Sequence, residues 1–397
     1  MEFFLAAFGL LLHLLLWGAG LAILLVPCRW RRFWPAFAAP MGVALQSAVV
    51  WAGAYAGFAG TDTYARASLL LPVALLAVAW RRRGARLRAE VAAWWGVGLV
   101  MVLALGALVR PMAQASKMLT TVSLGSCDAA DYAAGARVLQ EFARGDRSGF
   151  LGLTEVVRVA SVDNFYDFWL RLNHFTPSAL IALNDSVLGL RPHETTGLLT
   201  AVLLAATLPG VYWLARTLLR LRPLGAGWVA AVYGFSPVTW YAVAHVAIGQ
   251  LLAALAIVYL TWTGVALWRG RATWALVGVL AMAYWIILGS YNFIVLVCLV
   301  PAVAYAGGRA LGAGAWGRLA RWCAVMLAPL AVCGAVFTQR TLGLVERFQL
   351  FGQFDFGWRI PVVTPEGWLG AVGGTDLSPL ALPLRVGLGV VLAGLVV

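Results

Sequence analysis

Two aspartates three residues apart, Asp128 and Asp131, are the strongest candidates for chemistry in this chain. They open C-D-A-A-D-Y-A-A-G-A-R (127–137), whose cap residues and alanine content predict a helix. The i, i+3 spacing puts both carboxylates on one face near the helix N-terminus. Free backbone N–H groups and the helix dipole hold a carboxylate ionised there. An ionised carboxylate can accept the proton of a sugar hydroxyl as that hydroxyl attacks. The plainer account is an N-cap at Asp128 and a first-turn acid at Asp131.

Histidines and arginines form the second group. His174 lies in an aromatic-rich loop, and His245 lies at the mouth of an apolar run near Gln250. Either could bind a phosphate or orient a substrate, or be a polar residue satisfied at a membrane boundary. His193 is another such boundary residue. His13 is deep in the first apolar run, where a hydrogen bond to a neighbouring helix is expected. Arg340, Arg347 and Arg359 share a polar segment with Asp355 and Glu366. The guanidinium fork suits a departing phosphate, although headgroup contact is the plainer role. The sequence has no metal cluster with ligand spacing. A hard cation held by scattered carboxylates leaves no local motif, so no cofactor is specified and a divalent cation stays open.

The elements that must position these residues are apolar. The chain is 62% hydrophobic and 11% charged, with a mean hydropathy of +0.86, whereas soluble domains carry about 25% charge. The expected class is all-α, a polytopic transmembrane helical bundle. The net charge of +13 is not a nucleic-acid signal. Sixteen of the 29 Arg and Lys residues sit in five short loops between apolar runs, where anionic lipid headgroups are the natural partner. The five cysteines show neither a disulfide framework nor a CxxC spacing.

A helix needs about 20 apolar residues to cross the hydrocarbon core. Eleven spans are expected, near 3–26, 36–59, 67–80, 91–109, 195–215, 225–241, 246–267, 273–289, 291–307, 322–338 and 383–397. The first lacks a basic leader and a cleavage site, so it is expected to be a span and not a signal peptide. The last runs to Val397 with no polar exit, which suggests a piece of a longer chain. Fifteen of the sixteen acids fall on one side of this alternation, and Glu90 alone falls with the short arginine loops. Short basic loops mark the cytoplasmic face, so the acids are expected outside. Five parts follow: a four-helix region over 1–110, an outer helical loop over 111–194, a bundle over 195–338, a second outer loop over 339–382 and a last span over 383–397. In the first outer loop, Tyr132, Ala136, Leu139 and Ala143 form an apolar stripe expected to lie in the membrane interface. Further helices are expected over 161–172 and from near Pro177.

Three stretches in order carry a resemblance. C-D-A-A-D-Y-A-A-G-A-R (127–137) opens an interfacial helix after an apolar span. H-F-T-P-S-A-L-I-A-L-N-D-S-V-L-G-L (174–190) leads into the next span, and G-F-S-P-V-T-W-Y (234–241) closes a later one. Over about 125–340 the chain resembles the GT-C superfamily of lipid-linked-sugar glycosyltransferases. Here the acidic loop follows the fourth span, where the superfamily usually has it after the first. Two aspartates three apart stand where one branch has an Asp-Glu pair.

The resemblance implies a GT-C-like bundle and an inverting enzyme that uses a polyprenyl-phosphate or polyprenyl-diphosphate sugar, with Asp128 or Asp131 as base. Its partners would be the lipid-linked donor, membrane lipids and a glycan, lipid or protein acceptor. Its place would be a bacterial inner membrane. The alternative is a non-enzymatic scaffold or assembly subunit on the same fold. A transporter would want charged residues at mid-span and paired halves, which the sequence lacks.

Overall fold

A computed structural model describes residues 2–26, 28–115, 120–121, 128–144, 175–270, 272–338 and 340–343. All regular structure among them is helical. The helices are α1 (Glu2–Leu25), α2 (Trp34–Tyr55), α3 (Thr61–Ser68), α4 (Leu70–Arg83), α5 (Ala85–Ala92), α6 (Trp95–Ala115) and α7 (Asp128–Glu141). Then come α8 (Phe175–Leu188), α9 (Pro192–Thr217), α10 (Pro223–Gly234), α11 (Pro237–Ala244) and α12 (Ile248–Arg269). The last described are α13 (Trp274–Gly289), α14 (Val295–Ala313) and α15 (Trp316–Val336).

Among the described residues, eight helical stretches are long and apolar enough to cross a membrane: 2–25, 30–55, 61–83, 95–114, 192–217, 248–269, 292–313 and 316–336. The chain is a multi-pass membrane protein. Two other expected spans are helical but shorter than a crossing needs. Trp274–Gly289 has 16 residues. The run 225–241 is split at Phe235 and Ser236, because Pro237 starts a new helix and cannot continue the old one. The expected run 383–397 lies outside the described residues.

Two boundaries differ from expectation. The third span begins at Thr61 rather than 67, because T-D-T-Y-A-R-A-S folds as an amphipathic helix that leads straight into α4. The basic stretch 81–88 is helical on both sides of Gly84, which turns the chain at φ 38°, a conformation that suits glycine.

The first two helices touch backbone to backbone. A Cβ at Gly18 would lie 1.8 Å from the Ala38 carbonyl oxygen, and one at Gly42 would lie 2.1 Å from that of Leu14. Small residues at such crossings are how membrane helices gain packing energy, since lipid offers no hydrophobic drive between them. At the arginine-loop end, Trp213 packs against Trp262 and Phe37 with ring centroids 4.1 and 4.7 Å apart. At the acid-bearing end, Trp51 meets Phe175 and Phe337 at 5.0 and 4.5 Å.

The least expected element is α8. Every residue from Phe175 to Asp185 is buried, and α7, α3, α2 and α9 surround it. A buried helix must satisfy its polar side chains internally. Ser178 donates to the Tyr132 carbonyl at 3.1 Å, and Thr195 donates to Asp185 at 2.5 Å. Asn184 donates to Gln46 at 3.0 Å. Thus α8 is the post on which α7, the bearer of Asp128, is mounted.

Candidate functional site

Helix α7 is described from Asp128 to Glu141, within the stretch whose cap residues predict a helix. Its buried stripe is Ala129, Tyr132, Gly135, Ala136, Val138, Leu139 and Gln140. The stripe faces protein and not lipid. It rests on α8, α3 and α9, so α7 is a packed cap rather than a helix floating in the interface. Its far end is fixed by close approach, since a Cβ at Gly60 would lie 1.9 Å from the Gln140 carbonyl oxygen. The Arg144 guanidinium sits 4.5 Å over the Tyr55 ring.

At its near end, α7 meets the turn between α11 and α12. Asp128 is half-buried and feels the charge of His245. The Tyr132 hydroxyl reaches the backbone of Gly249, and Tyr132 also feels Tyr291. Gln250 donates to the Tyr291 hydroxyl at 3.3 Å, and the Tyr291 ring stands 4.1 Å from Phe293. His245 caps the end of α11 and stacks on Tyr241, with 5.5 Å between centroids and 13° between planes. The next residue, Val246, has φ 55°. A β-branched residue in that region is strained, and such strain persists only where the surroundings enforce it. The turn therefore holds His245 in a fixed place within electrostatic reach of Asp128.

Burial decides the electrostatics. It pushes the Asp128 carboxyl above the usual carboxylate range, and His245 pulls it partly back. Asp131 is also pushed up, first by burial and then by the Asp128 charge. Tyr132 is pushed up by burial and then by Asp128. The helix-terminus argument predicts the opposite direction for Asp128. It fails because the cover of α8, α11 and α12 removes more water than the first-turn N–H groups replace. A carboxylate with a raised pKa is the stronger base.

Arg340 stands apart from its expected role. It is buried, and its Nε donates to the Leu288 carbonyl at 2.9 Å, with Nη2 at 3.4 Å from that of Ser290. These are carbonyls at the C-terminal end of α13, so the guanidinium caps that helix. The Arg340 carbonyl in turn accepts from Asn292 at 3.1 Å. Arg340 thereby ties the start of the second loop to the turn that carries Tyr291. His174, Arg347, Arg359, Asp355 and Glu366 lie outside the described residues. Among the described residues, no group of three or more His, Cys, Asp or Glu is arranged to hold a metal.

The chain matches no family model, no curated protein and no solved structure.

Asp128 and His245 are thus brought together from positions 117 residues apart. Asp131, more exposed than Asp128, shares the same helix end. The pattern of the sequence singles out neither Tyr132 nor Tyr291 as a site residue. The available signal was a tyrosine in an otherwise apolar stripe and another in the polar turn Ser290-Tyr291-Asn292.

Proposed function

We propose that this protein is a glycosyltransferase. It would move a sugar from a polyprenyl-phosphate carrier to an acceptor at the acid-bearing end of the bundle, with Asp128 as general base. The observation that carries this reading is the half-buried Asp128 at the head of α7, set against His245 with Tyr132 in the next turn. The order of motifs that resembles the GT-C superfamily supports it, and with it a GT-C-like bundle in a bacterial inner membrane.

The chemistry follows from one carboxylate. The acceptor oxygen attacks the anomeric carbon while the bond from that carbon to the phosphate oxygen breaks. The electron pair leaves with the polyprenyl phosphate, and the acceptor proton passes to the Asp128 carboxylate. A single displacement inverts the anomeric centre. Positioned general-base assistance is worth roughly 10²–10⁴-fold in rate. His245 would orient the donor phosphate or the acceptor. Arg347 and Arg359 remain the candidate cations for the leaving phosphate.

The test is turnover by the purified protein in bilayer discs, given a panel of polyprenyl-phosphate hexoses and pentoses and a cell-envelope glycan. Release of polyprenyl phosphate that depends on acceptor is expected for at least one donor. No release with any member of the panel would overturn the reading and leave the scaffold alternative in its place.

A further inference from the structure

A second site lies away from Asp128, between α1 and α6, and does not depend on the transferase reading. A cavity of about 760 Å³ separates the middle of α1 from α6, with Leu12, Leu16, Trp34, Trp94 and Met101 among its walls. Its size falls within the range of small-molecule pockets, about 300–1,000 Å³. His13 and the indole N–H groups of Trp34, Trp94 and Trp95 are the polar groups among its lining side chains. Both ring nitrogens of His13 are engaged, Nδ1 with Asn184 at 2.6 Å and Nε2 with Trp17 at 2.9 Å. Apart from the Trp34 indole N–H, which is buried without a partner, the buried walls offer water nothing to bond, and a cavity this apolar favours hydrocarbon over water. Leu12, Val91 and Trp95 line the cavity and are exposed, so it communicates with the lipid-facing surface between α1 and α6.

The rim states the charge of the occupant. At the arginine-loop end the lining includes Trp34 and Trp94, and the Trp94 indole donates to the Arg32 carbonyl at 3.0 Å. Arg31 and Arg32 precede this wall, and Arg81 and Arg82 end α4 just before α5; all four are exposed. The lone acid of this end, Glu90, is already ion-paired with Arg83. Tryptophan at headgroup level above an apolar slot, at the end of the molecule that carries these exposed arginines, fits an anionic lipid.

We infer that the cavity between α1 and α6 holds one acyl chain of an anionic phospholipid of the arginine-loop leaflet, with its headgroup on Arg31, Arg32, Arg81 and Arg82. The lipid completes the packing between two helices that otherwise touch only in part.

Gly98 and Gly9 both line this space, and a Cβ at either meets nothing within 4 Å. Gly98→Phe and Gly9→Phe therefore fill the cavity without a backbone clash. The experiment is native mass spectrometry of the full chain after a detergent wash, with bound lipid identified by extraction. Phosphatidylglycerol photo-crosslinking of the wild type follows in vesicles of mixed phosphatidylglycerol and phosphatidylethanolamine. Wild type is expected to retain about one anionic phospholipid per chain, and each Phe variant at least tenfold less at unchanged thermal stability. The crosslinks are expected in α1 and α6 peptides. The cross-link arm stands if a variant fails to fold. Equal lipid in wild type and folded variants would overturn the inference. So would retention without preference for the anionic lipid, a polyprenyl phosphate in its place, or crosslinks spread over all helices.

Discussion

His13 joins α1 to the helix that supports the candidate site, and removing it should loosen that support by a definable amount. Trp17 Nε1–H is a donor only, and it points at His13 Nε2 from 2.9 Å. The ring proton is therefore on Nδ1, which donates to Asn184 Oδ1 at 2.6 Å. The Asn184 amide then donates to Gln46 at 3.0 Å and to the Leu180 carbonyl at 2.6 Å. His13→Leu strips one partner from Asn184 and one from Trp17. An unsatisfied buried group costs about 1–3 kcal/mol, which puts the ceiling near 6. Hydrogen bonds between helices in bilayers average only about 0.6 kcal/mol and reach about 1.7, because the separated helices find other partners. The second range governs here, and the two losses together should come to about 2 kcal/mol. Asn184→Leu should cost a similar amount, and the double variant should fall short of the sum by roughly 1 kcal/mol. Equilibrium unfolding of the four proteins in mixed micelles measures this. A His13→Leu protein within about 0.5 kcal/mol of wild type, or strict additivity, would refute the network.

Three further outcomes follow. Burial, with Glu194 and Asp62 adding to it and the Thr195 hydrogen bond opposing it, raises Asp185 from 3.8 to about 8. The folded protein then holds a proton that the unfolded chain releases, so between about pH 4 and 8 stability should fall as pH rises, by about 1.4 kcal/mol per unit. Asp185→Asn should flatten that slope in pH-dependent unfolding, and an unchanged slope would rule this origin out. Gly60→Val must push α7 off the start of α3, since even a Cβ would meet the Gln140 carbonyl at 1.9 Å. Turnover should drop at least tenfold, and wild-type activity in that variant would show that α7 need not sit where it does. His245 is what lowers the raised pKa of Asp128, so His245→Gln should move the acid limb of the pH–rate profile to higher pH. A shift to lower pH would contradict the pairing.

Much of the scaffold was legible because apolar length is a local property. The presence of helix over 128–141 and over 175–188, around Pro177, was legible from cap and proline chemistry. Four features were not, and each depends on tertiary cover. The stripe of Tyr132, Ala136 and Leu139 announces an apolar neighbour, but protein and lipid are equally apolar to it. The direction of the Asp128 shift depends on how much water α8, α11 and α12 displace, which no local motif encodes. The meeting of Asp128 with His245 spans 117 residues and leaves no spacing to detect. The depth of α8 was hidden for a related reason. Its Ser178, Asn184 and Asp185 look like loop polarity in sequence, and only the structure shows them paired with other helices.

The central claim is that Asp128 takes the acceptor proton. Asp128→Asn keeps shape and hydrogen bonding but removes the basicity, while Asp131→Asn on the same helix end is the matched control. With a turned-over polyprenyl-phosphate sugar, single-turnover rates of both variants are compared with wild type at one pH. The account predicts a loss of roughly 10²–10⁴-fold for Asp128→Asn at unchanged folding, and less than about tenfold for Asp131→Asn, whose role is that of a first-turn acid. Wild-type rates in Asp128→Asn would contradict it.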